Sequence, residues 1–450
     1  MIENFDMVII GSGSAASTAA FEAAREKLKV AVIDQKPIGG TCALRGCDPK
    51  KILFGATESL ESVRRLQRKG ILQTSAKMNW PSLIDFKSEF TGEMSHRIES
   101  SLRGSGIKVI RGRAAFVTTD TVAVGDRKLK SSRILIATGM KPSKLSFPGS
   151  EYVIDNEAFL DLRILPERLL FIGGGYISVE FASIAGKAGS KSTIVQRRER
   201  ILMNFDADAV EELTRSLEHL GVAIMTNTTV KSIEKHNGEF EVTLESGGHT
   251  ENVVVDSVVH GAGREFDSGL NPEVAGIKWT RRGVTVNEFL QSVSNPAVYA
   301  AGDAADTRAP KLTPVAVMEG RAAITNMLKG NSVRPDYSAI PTCVFSSPPL
   351  AMVGISDSED LEKRGDIMVR KGKMSSWYNS RRRMIENAYY KVITDRKDGK
   401  ILGAHIMGEN AEETINIFSL AMRLGLTSED LSSAPFIYPS DIYDIRYMLG

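Results

Sequence analysis

Short apolar runs, each closed by glycine or an acid, alternate along the chain with longer stretches whose apolar residues recur at helical spacing. The first run, Met7-Val8-Ile9-Ile10, passes into Gly11-Ser12-Gly13-Ser14-Ala15-Ala16. An alanine-rich helix is predicted from there to about Arg25, and Val30 to Ile33 forms a second strand ending at Asp34. Strand, glycine turn, helix, strand and acid is the order of a dinucleotide-binding unit. Gly11 permits the tight turn, and Gly13 lets backbone amides approach a pyrophosphate at the helix N-terminus. The third glycine position is Ala16, small enough for close helix–strand packing. Asp34, 23 residues after Gly11, is placed to accept hydrogen bonds from a ribose.

The pattern then repeats. Leu169 to Ile172 leads into Gly173-Gly174-Gly175-Tyr176-Ile177-Ser178, a helix, and the strand Ser192 to Val195. From Gly173 to Gln196 is again 23 residues, but Gln196 stands in place of the acid, followed by Arg197 and Arg198. Loss of the acid and gain of guanidinium groups suit a ribose 2′-phosphate; the alternative is a solvated basic turn. A flavin on the first unit and NADPH, in preference to NADH, on the second is the natural assignment. Further helices are predicted from Ile52 to about Gly70, Phe86 to about Arg103 and Ala316 to Leu328, with strands over 131–139, 253–261 and 296–303. After a linker from Gly330 to Pro335, strands at 343–345, 389–394 and 401–406 and a helix from Ala411 to Leu424 read as an α+β segment. The expected class is α/β, with two Rossmann-like dinucleotide-binding domains and a C-terminal α+β interface domain. The expected domains are 1–148 (flavin, first part), 149–267 (NAD(P)), 268–335 (flavin, central segment) and 336–450 (interface).

A chain of 450 residues with a formal net charge of +2 carries no electrostatic footprint for nucleic acid and no polybasic membrane anchor. No apolar run nears the roughly 20 residues of a membrane-spanning helix. The opening Met1-Ile2-Glu3-Asn4-Phe5-Asp6 lacks the pattern of a signal peptide, so a reducing cytoplasm is expected. That changes how the cysteines read. Two of three lie in Gly39-Gly40-Thr41-Cys42-Ala43-Leu44-Arg45-Gly46-Cys47-Asp48-Pro49-Lys50-Lys51. Four intervening residues amount to about one helical turn, close enough for the sulfurs to bond. The lysines favour a thiolate and hence disulfide exchange. The competing readings are small buried hydrophobes or half of a zinc site; with only Cys343 remaining and no histidine nearby, no metal is expected. Arg381-Arg382-Arg383 reads as a solvated face or an attraction for an acidic substrate.

With these blocks in view, the whole chain resembles the class I pyridine nucleotide–disulfide oxidoreductases, the flavoprotein family of glutathione reductase, dihydrolipoamide dehydrogenase and mercuric reductase. The resemblance rests on the 39–50 block, Ala137-Thr138-Gly139, Gly175-Tyr176-Ile177 with Glu180, Ala300-Ala301-Gly302-Asp303, Leu312-Thr313-Pro314-Val315-Ala316 and Pro341-Thr342-Cys343-Val344-Phe345. It implies FAD and NADPH as cofactors and electron flow through the flavin to Cys42–Cys47 and on to a small disulfide or related acceptor. A quinone, a metal ion or oxygen is the alternative acceptor. It also implies a homodimer with no nucleic-acid or membrane partner.

By the same resemblance Cys42 is the outer thiol that attacks substrate and Cys47 the inner, flavin-facing one. Lys50 and Glu180 are the ion pair beside the flavin, Tyr176 gates it, and Asp303 binds its ribitol. Further cofactor contacts implied are Gly11, Gly13, Ala15, Ala16, Asp34, Gly40, Thr41, Thr138, Gly139, Gly302, Thr313 and Pro314 for FAD. For the nicotinamide nucleotide they are Gly173, Gly175, Ile177, Arg197, Arg198, Gly263 and Arg264. The chain departs from the family near its end. Phe436-Ile437-Tyr438-Pro439 has Tyr438 where the family's acid–base histidine stands, and Tyr443 where its glutamate partner stands. The chain ends Tyr447-Met448-Leu449-Gly450, without the vicinal cysteines of mercuric reductases. Asp48 fills a commonly apolar position, where a carboxylate aimed at the sulfur would disfavour a Cys47 thiolate.

Overall fold

The computed structural model describes residues 2–73, 75–356 and 365–450; Met1, the first residue of the opening segment, lies outside them. The chain forms two compact units, both discontinuous in sequence. One comprises Met1–Lys50, Asp85–Lys144 and Arg264–Tyr337; the other comprises Lys51–Ile84, Leu145–Gly263 and Ser338–Gly450.

In the first unit the apolar runs become a five-stranded parallel sheet in the order Val298–Ala300, Ile134–Ile136, Met7–Ile10, Val30–Asp34, Lys108–Arg111. Strands buried on both faces need no alternation, which is why Met7–Ile10 reads as continuously apolar. The helices Ser14–Arg25 and Thr313–Lys329 pack on each other through very small residues. A Cβ built on Gly320 would stand 2.5 Å from the Ala15 carbonyl oxygen, so only glycine allows this approach. A smaller mixed sheet, Ile2–Asn4, Arg127–Lys130, Thr121–Val124 and Ala114–Phe116, completes the unit.

The second unit repeats the theme with the parallel order Val222–Met225, Lys191–Val195, Arg168–Ile172, Ser257–His260. It adds an antiparallel sheet, Thr228–His236, Glu239–Ser246 and His249–Val255. The tail forms a five-stranded antiparallel sheet, Thr342–Val344, Leu350–Gly354, Ile401–Met407, Tyr389–Asp395, Ile367–Lys373, with the helix Ala411–Leu424 against it. The α/β class, the two Rossmann-like sheets and the α+β tail are as expected. Within this unit the helix Ala207–His219 is tied to the tail sheet by a buried charge cluster. Lys391 Nζ, fully buried, donates to Asp206 Oδ2 at 2.7 Å and Asp208 Oδ2 at 2.9 Å. Asp206 also caps the helix by accepting the Ala209 N–H.

Two local expectations need correction. The predicted helix from Phe86 to Arg103 is two helices, Trp80–Thr91 and Met94–Gly104, broken at Gly92, the poorest helix former in the stretch after proline is set aside. The run 253–261 is two strands parted at Asp256, whose backbone N–H and side chain exchange hydrogen bonds with Arg168. Of the arginines at 381–383, Arg381 and Arg382 are exposed, as a solvated face implies, while Arg383 is committed to Asp441 and Glu409.

Candidate redox and nucleotide sites

The cysteine block does not form one helical turn. Cys42 lies in the short helix Gly40–Arg45, and Cys47 opens the helix Cys47–Arg68, with Gly46 between them at φ −146° and ψ −109°. A Cβ on Gly46 would stand 2.9 Å from the Thr41 carbonyl oxygen, so the glycine lets the second helix start against the first. Both cysteines are free thiols here, and both approach one hydroxyl. Thr313 Oγ1, at the start of the helix Thr313–Lys329, donates to Cys42 Sγ at 3.1 Å and lies 3.8 Å from Cys47 Sγ. Cys47 is exposed and Cys42 half-buried. The Cys42 thiol is pushed well above the usual thiol range, first by its hydrogen bond with Cys47, then by burial, with Asp48 adding to it and the Thr313 hydroxyl opposing. Asp48 Oδ1 lies 3.9 Å from Cys42 Sγ and its charge acts on that sulfur.

The flavin-side residues of the first unit surround the glycine turn. Gly11, at φ +110°, carries no Cβ because one would overlap the Ala137 carbonyl at 2.2 Å, and Gly40 approaches Gly13 so closely that its Cβ would stand 2.4 Å from the Gly13 Cα. The helix Ser14–Arg25 has no side-chain cap and no acidic residue in its first turn. Amides without a side-chain cap or an acid in the helix's own first turn match the charge of a pyrophosphate. Asp34 accepts from Ser12 Oγ at 2.6 Å and from the Lys36 N–H at 2.9 Å, and Ser12 in turn accepts the Gly39 N–H. An ionised carboxylate has about four lone-pair sites, so capacity for a ribose remains. Ala15 is buried against Gly302 and Gly320, and Ala16 is fully buried, so these two shape the turn by packing. Thr41 and Gly139 are half-buried, Thr138 is exposed, and Pro314 follows Thr313 in the first helical turn. Asp303 receives Arg264 Nη1 at 2.9 Å, and Arg264 also donates to the Met140 carbonyl. Lys50, half-buried, sits in the first turn of Cys47–Arg68.

In the second unit the helix Tyr176–Ala188 likewise begins without a side-chain cap or an early acid, behind Gly173 and Gly175. A Cβ on Gly175 would meet nothing nearer than 3.9 Å, so open space lies over the turn. Tyr176 Oη shares a 2.7 Å hydrogen bond with Thr342, its ring rests edge-on against Phe205, and burial raises its pKa. Ile177 is half-buried, and Gly263 takes a φ of +107°. Glu180 is buried and accepts the Phe345 N–H at 2.9 Å. Gln196 Nε2 donates to the Arg200 carbonyl, and Arg200 is spent on the carbonyls of Leu202, Met203 and Phe205. Arg197 and Arg198 are exposed at the strand end. Tyr438 is exposed, stacks on Tyr378 with centroids 6.1 Å apart and meets Tyr443 edge-on at 4.9 Å; Tyr443 Oη accepts from Arg446.

Residues 5–320 match the pyridine nucleotide-disulphide oxidoreductase family. The chain belongs to that family. Residues 340–441 match its dimerisation domain, which fits a homodimer. A glutathione reductase from Nostoc sp. is 33% identical over 98% of both chains, and a mercuric reductase from Lysinibacillus sphaericus is 31% identical over 97% of this chain and 80% of its own. Among solved structures, the Cu(II) complex of the HOCl-induced flavoprotein disulfide reductase RclA from Escherichia coli is similar with a TM-score of 0.89 and 28% identity, covering 99% of each chain. The chain is therefore a pyridine-nucleotide-dependent flavoprotein oxidoreductase with FAD and NADPH as its cofactors and Cys42 and Cys47 as its redox pair. No helix among the described residues is long and apolar enough to cross a membrane.

Sequence reasoning missed three supports of these sites. Ser12, which ties Asp34 to Gly39, is masked by the glycines on either side. The contact of Thr313 with the sulfurs spans 271 residues and leaves no local signal. Glu319, buried and raised in pKa by that burial, accepts the Gly302 N–H at 2.7 Å and the Tyr337 hydroxyl at 2.8 Å, steadying the loop that carries Asp303. Its being the one acid in the helix Thr313–Lys329 is the trace it leaves in the sequence.

Proposed function

We propose that the chain is an NADPH-dependent reductase of small disulfides, acting through Cys42 and Cys47. The observation that carries this reading is the meeting of both thiols at Thr313 Oγ1, which offers a hydrogen bond to a developing thiolate. FAD, when bound, carries two electrons from NADPH to the Cys42–Cys47 disulfide. The reduced Cys42 loses its proton and attacks one sulfur of the substrate disulfide, forming a mixed disulfide and expelling one thiolate, which is protonated. Cys47 then attacks the Cys42 sulfur, restoring the protein disulfide and releasing the second substrate thiolate. Two electrons and two protons thus end on two substrate thiols.

The family resemblance supports Cys42 as the attacking sulfur and Cys47 as the flavin-facing one, whatever their exposure here. Exposed Arg197 and Arg198 support 2′-phosphate recognition, and the uncapped helix at Gly13 supports FAD on the segments 1–148 and 268–335. Residues 149–267 would then hold the nicotinamide nucleotide and 336–450 the dimer contact. Tyr438, reaching across that dimer, takes the place of the family's histidine. The expected compartment is the cytoplasm.

A second reading keeps FAD and NADPH but delivers electrons to a metal ion or quinone. Tyrosine at the histidine position favours it, since such acceptors have no leaving thiol to protonate, and the solved relative RclA is a Cu(II) complex. NADPH consumption by the holoenzyme against glutathione disulfide, lipoamide, quinones and Cu(II) tests the choice. Fast turnover of a disulfide supports the first reading. Turnover confined to the other acceptors overturns it.

A further inference from the structure

The thiol on which the proposed reaction depends faces a carboxylate. Asp48, on the first turn of Cys47–Arg68, directs Oδ1 to 3.9 Å from Cys42 Sγ, with the thiol as donor. The other groups around that sulfur are the Cys47 thiol and the Thr313 hydroxyl, with Lys50 two residues further along the Asp48 helix. The two oxygen ligands pull in opposite directions. A hydroxyl donates to sulfur and favours the thiolate; an ionised carboxylate only accepts, so it favours the thiol and repels the thiolate. Carboxylates ordinarily titrate near pH 4 and thiols near 8.5, so a proton shared between the two resides on sulfur at neutral pH.

We propose that Asp48 is a reactivity-setting residue that holds reduced Cys42 as a thiol and thereby limits its attack on disulfides at neutral pH. The proposal rests on the reading of Cys42 as the attacking sulfur. It makes loss of the Cys42 proton the step that separates acceptors. Disulfides need the thiolate and react faster as pH rises, whereas an acceptor that takes electrons without thiolate attack is spared the limit. Asp48 is exposed, so water weakens its field. The effect of removing its charge is correspondingly about one pH unit, or roughly tenfold in thiolate fraction at neutral pH.

The test is the rate of iodoacetamide labelling of Cys42, followed by peptide mass between pH 6 and 10 in the FAD-loaded protein, for wild type, Asp48→Asn and Asp48→Glu. Thiols are generated in one series with NADPH and in a parallel series with dithiothreitol. The expected result is that Asp48→Asn moves the Cys42 labelling midpoint down by about one unit and raises kcat/KM for glutathione disulfide at pH 7 by a similar factor. Asp48→Glu stays nearer wild type. A midpoint unchanged or raised in Asp48→Asn overturns the proposal in either series. Failure of NADPH, but not dithiothreitol, to expose the thiols refutes the proposed electron route instead and leaves the Asp48 result to be read from the dithiothreitol series.

Discussion

Thr313→Val offers the sharpest check on the dithiol geometry. Valine keeps the shape of threonine and removes the hydroxyl that donates to Cys42 Sγ at 3.1 Å. That hydroxyl lowers the Cys42 pKa against the combined upward push of Cys47, burial and Asp48, so its loss raises the pKa further. A hydrogen bond to a charged group contributes about 1.5–3 kcal/mol. Cys42 is only half-buried, and solvent replaces part of the lost bond, which leaves about 1–1.5 kcal/mol. That is roughly a fivefold to tenfold fall in thiolate at a fixed pH below the midpoint. The assay is iodoacetamide labelling of the dithiothreitol-reduced protein at pH 7.5, scored on the Cys42 peptide. Thr313→Val should label roughly fivefold to tenfold more slowly than wild type, and Thr313→Ser, which keeps the donor, should lie close to wild type. Equal rates for valine and wild type, or equal slowing by serine, would refute the assignment of this contact to thiolate stabilisation.

Four further outcomes are expected. Arg197→Ala should lower kcat/KM for NADPH by roughly tenfold to a hundredfold, through loss of a charge-assisted hydrogen bond, and leave NADH nearly unchanged; parallel losses for both nucleotides would show that Arg197 does not read the 2′-phosphate. Lys391→Met should destabilise the protein by about 3–5 kcal/mol in urea unfolding, because buried Asp206 loses its counter-charge. Burial opposes ionisation of Asp208, but Lys391 and Lys371 outweigh it and hold its pKa below the usual value. Its share of stability is therefore full above the unfolded carboxylate pKa of about 4 and lost as pH falls through the lower folded value, so the gap between wild type and Asp208→Asn should narrow progressively as pH falls below about 4. Tyr438→His combined with Tyr443→Glu should raise glutathione disulfide turnover at least roughly tenfold, within the range of general acid–base help; no gain, with flavin reduction by NADPH intact, would mean that proton transfer at this position is not limiting.

Most of the architecture was legible because it is written in short-range patterns. Met7–Ile10 and Leu169–Ile172 are apolar on both faces and run into glycine turns, a combination that few folds other than a dinucleotide-binding sheet accommodate. Gly92 does not stand out as a helix terminus because charged and apolar positions on either side stay in phase. At the site, residue types were readable and directions were not. Asp48 was visible as an anomaly, but which sulfur it faces depends on the Gly46 break, and a glycine in a motif does not announce its φ and ψ. The same limit hid the arginine roles. Arg197, Arg198 and Arg200 look alike in sequence, yet Arg200 is consumed by three backbone carbonyls. Lys391 shows the converse: a lysine inside Tyr389–Asp395 reads as a solvent-facing position, and only the approach of Asp206 and Asp208 makes its burial tolerable.

That buried lysine also bears on how such chains are cut and recombined. The stretch Leu145–Gly263 looks separable, with linker-like residues after Gly330 inviting a truncation that stops before the tail. Such a fragment would carry Asp206 and Asp208 without the strand that supplies Lys391, and the helix Ala207–His219 would begin with two adjacent carboxylates facing water or each other. Chimeras between related chains meet the same condition. A crossover near residue 338 keeps this contact only when one parent places acids at the start of that helix and the other a cation at the Lys391 position, a condition linking segments nearly two hundred residues apart.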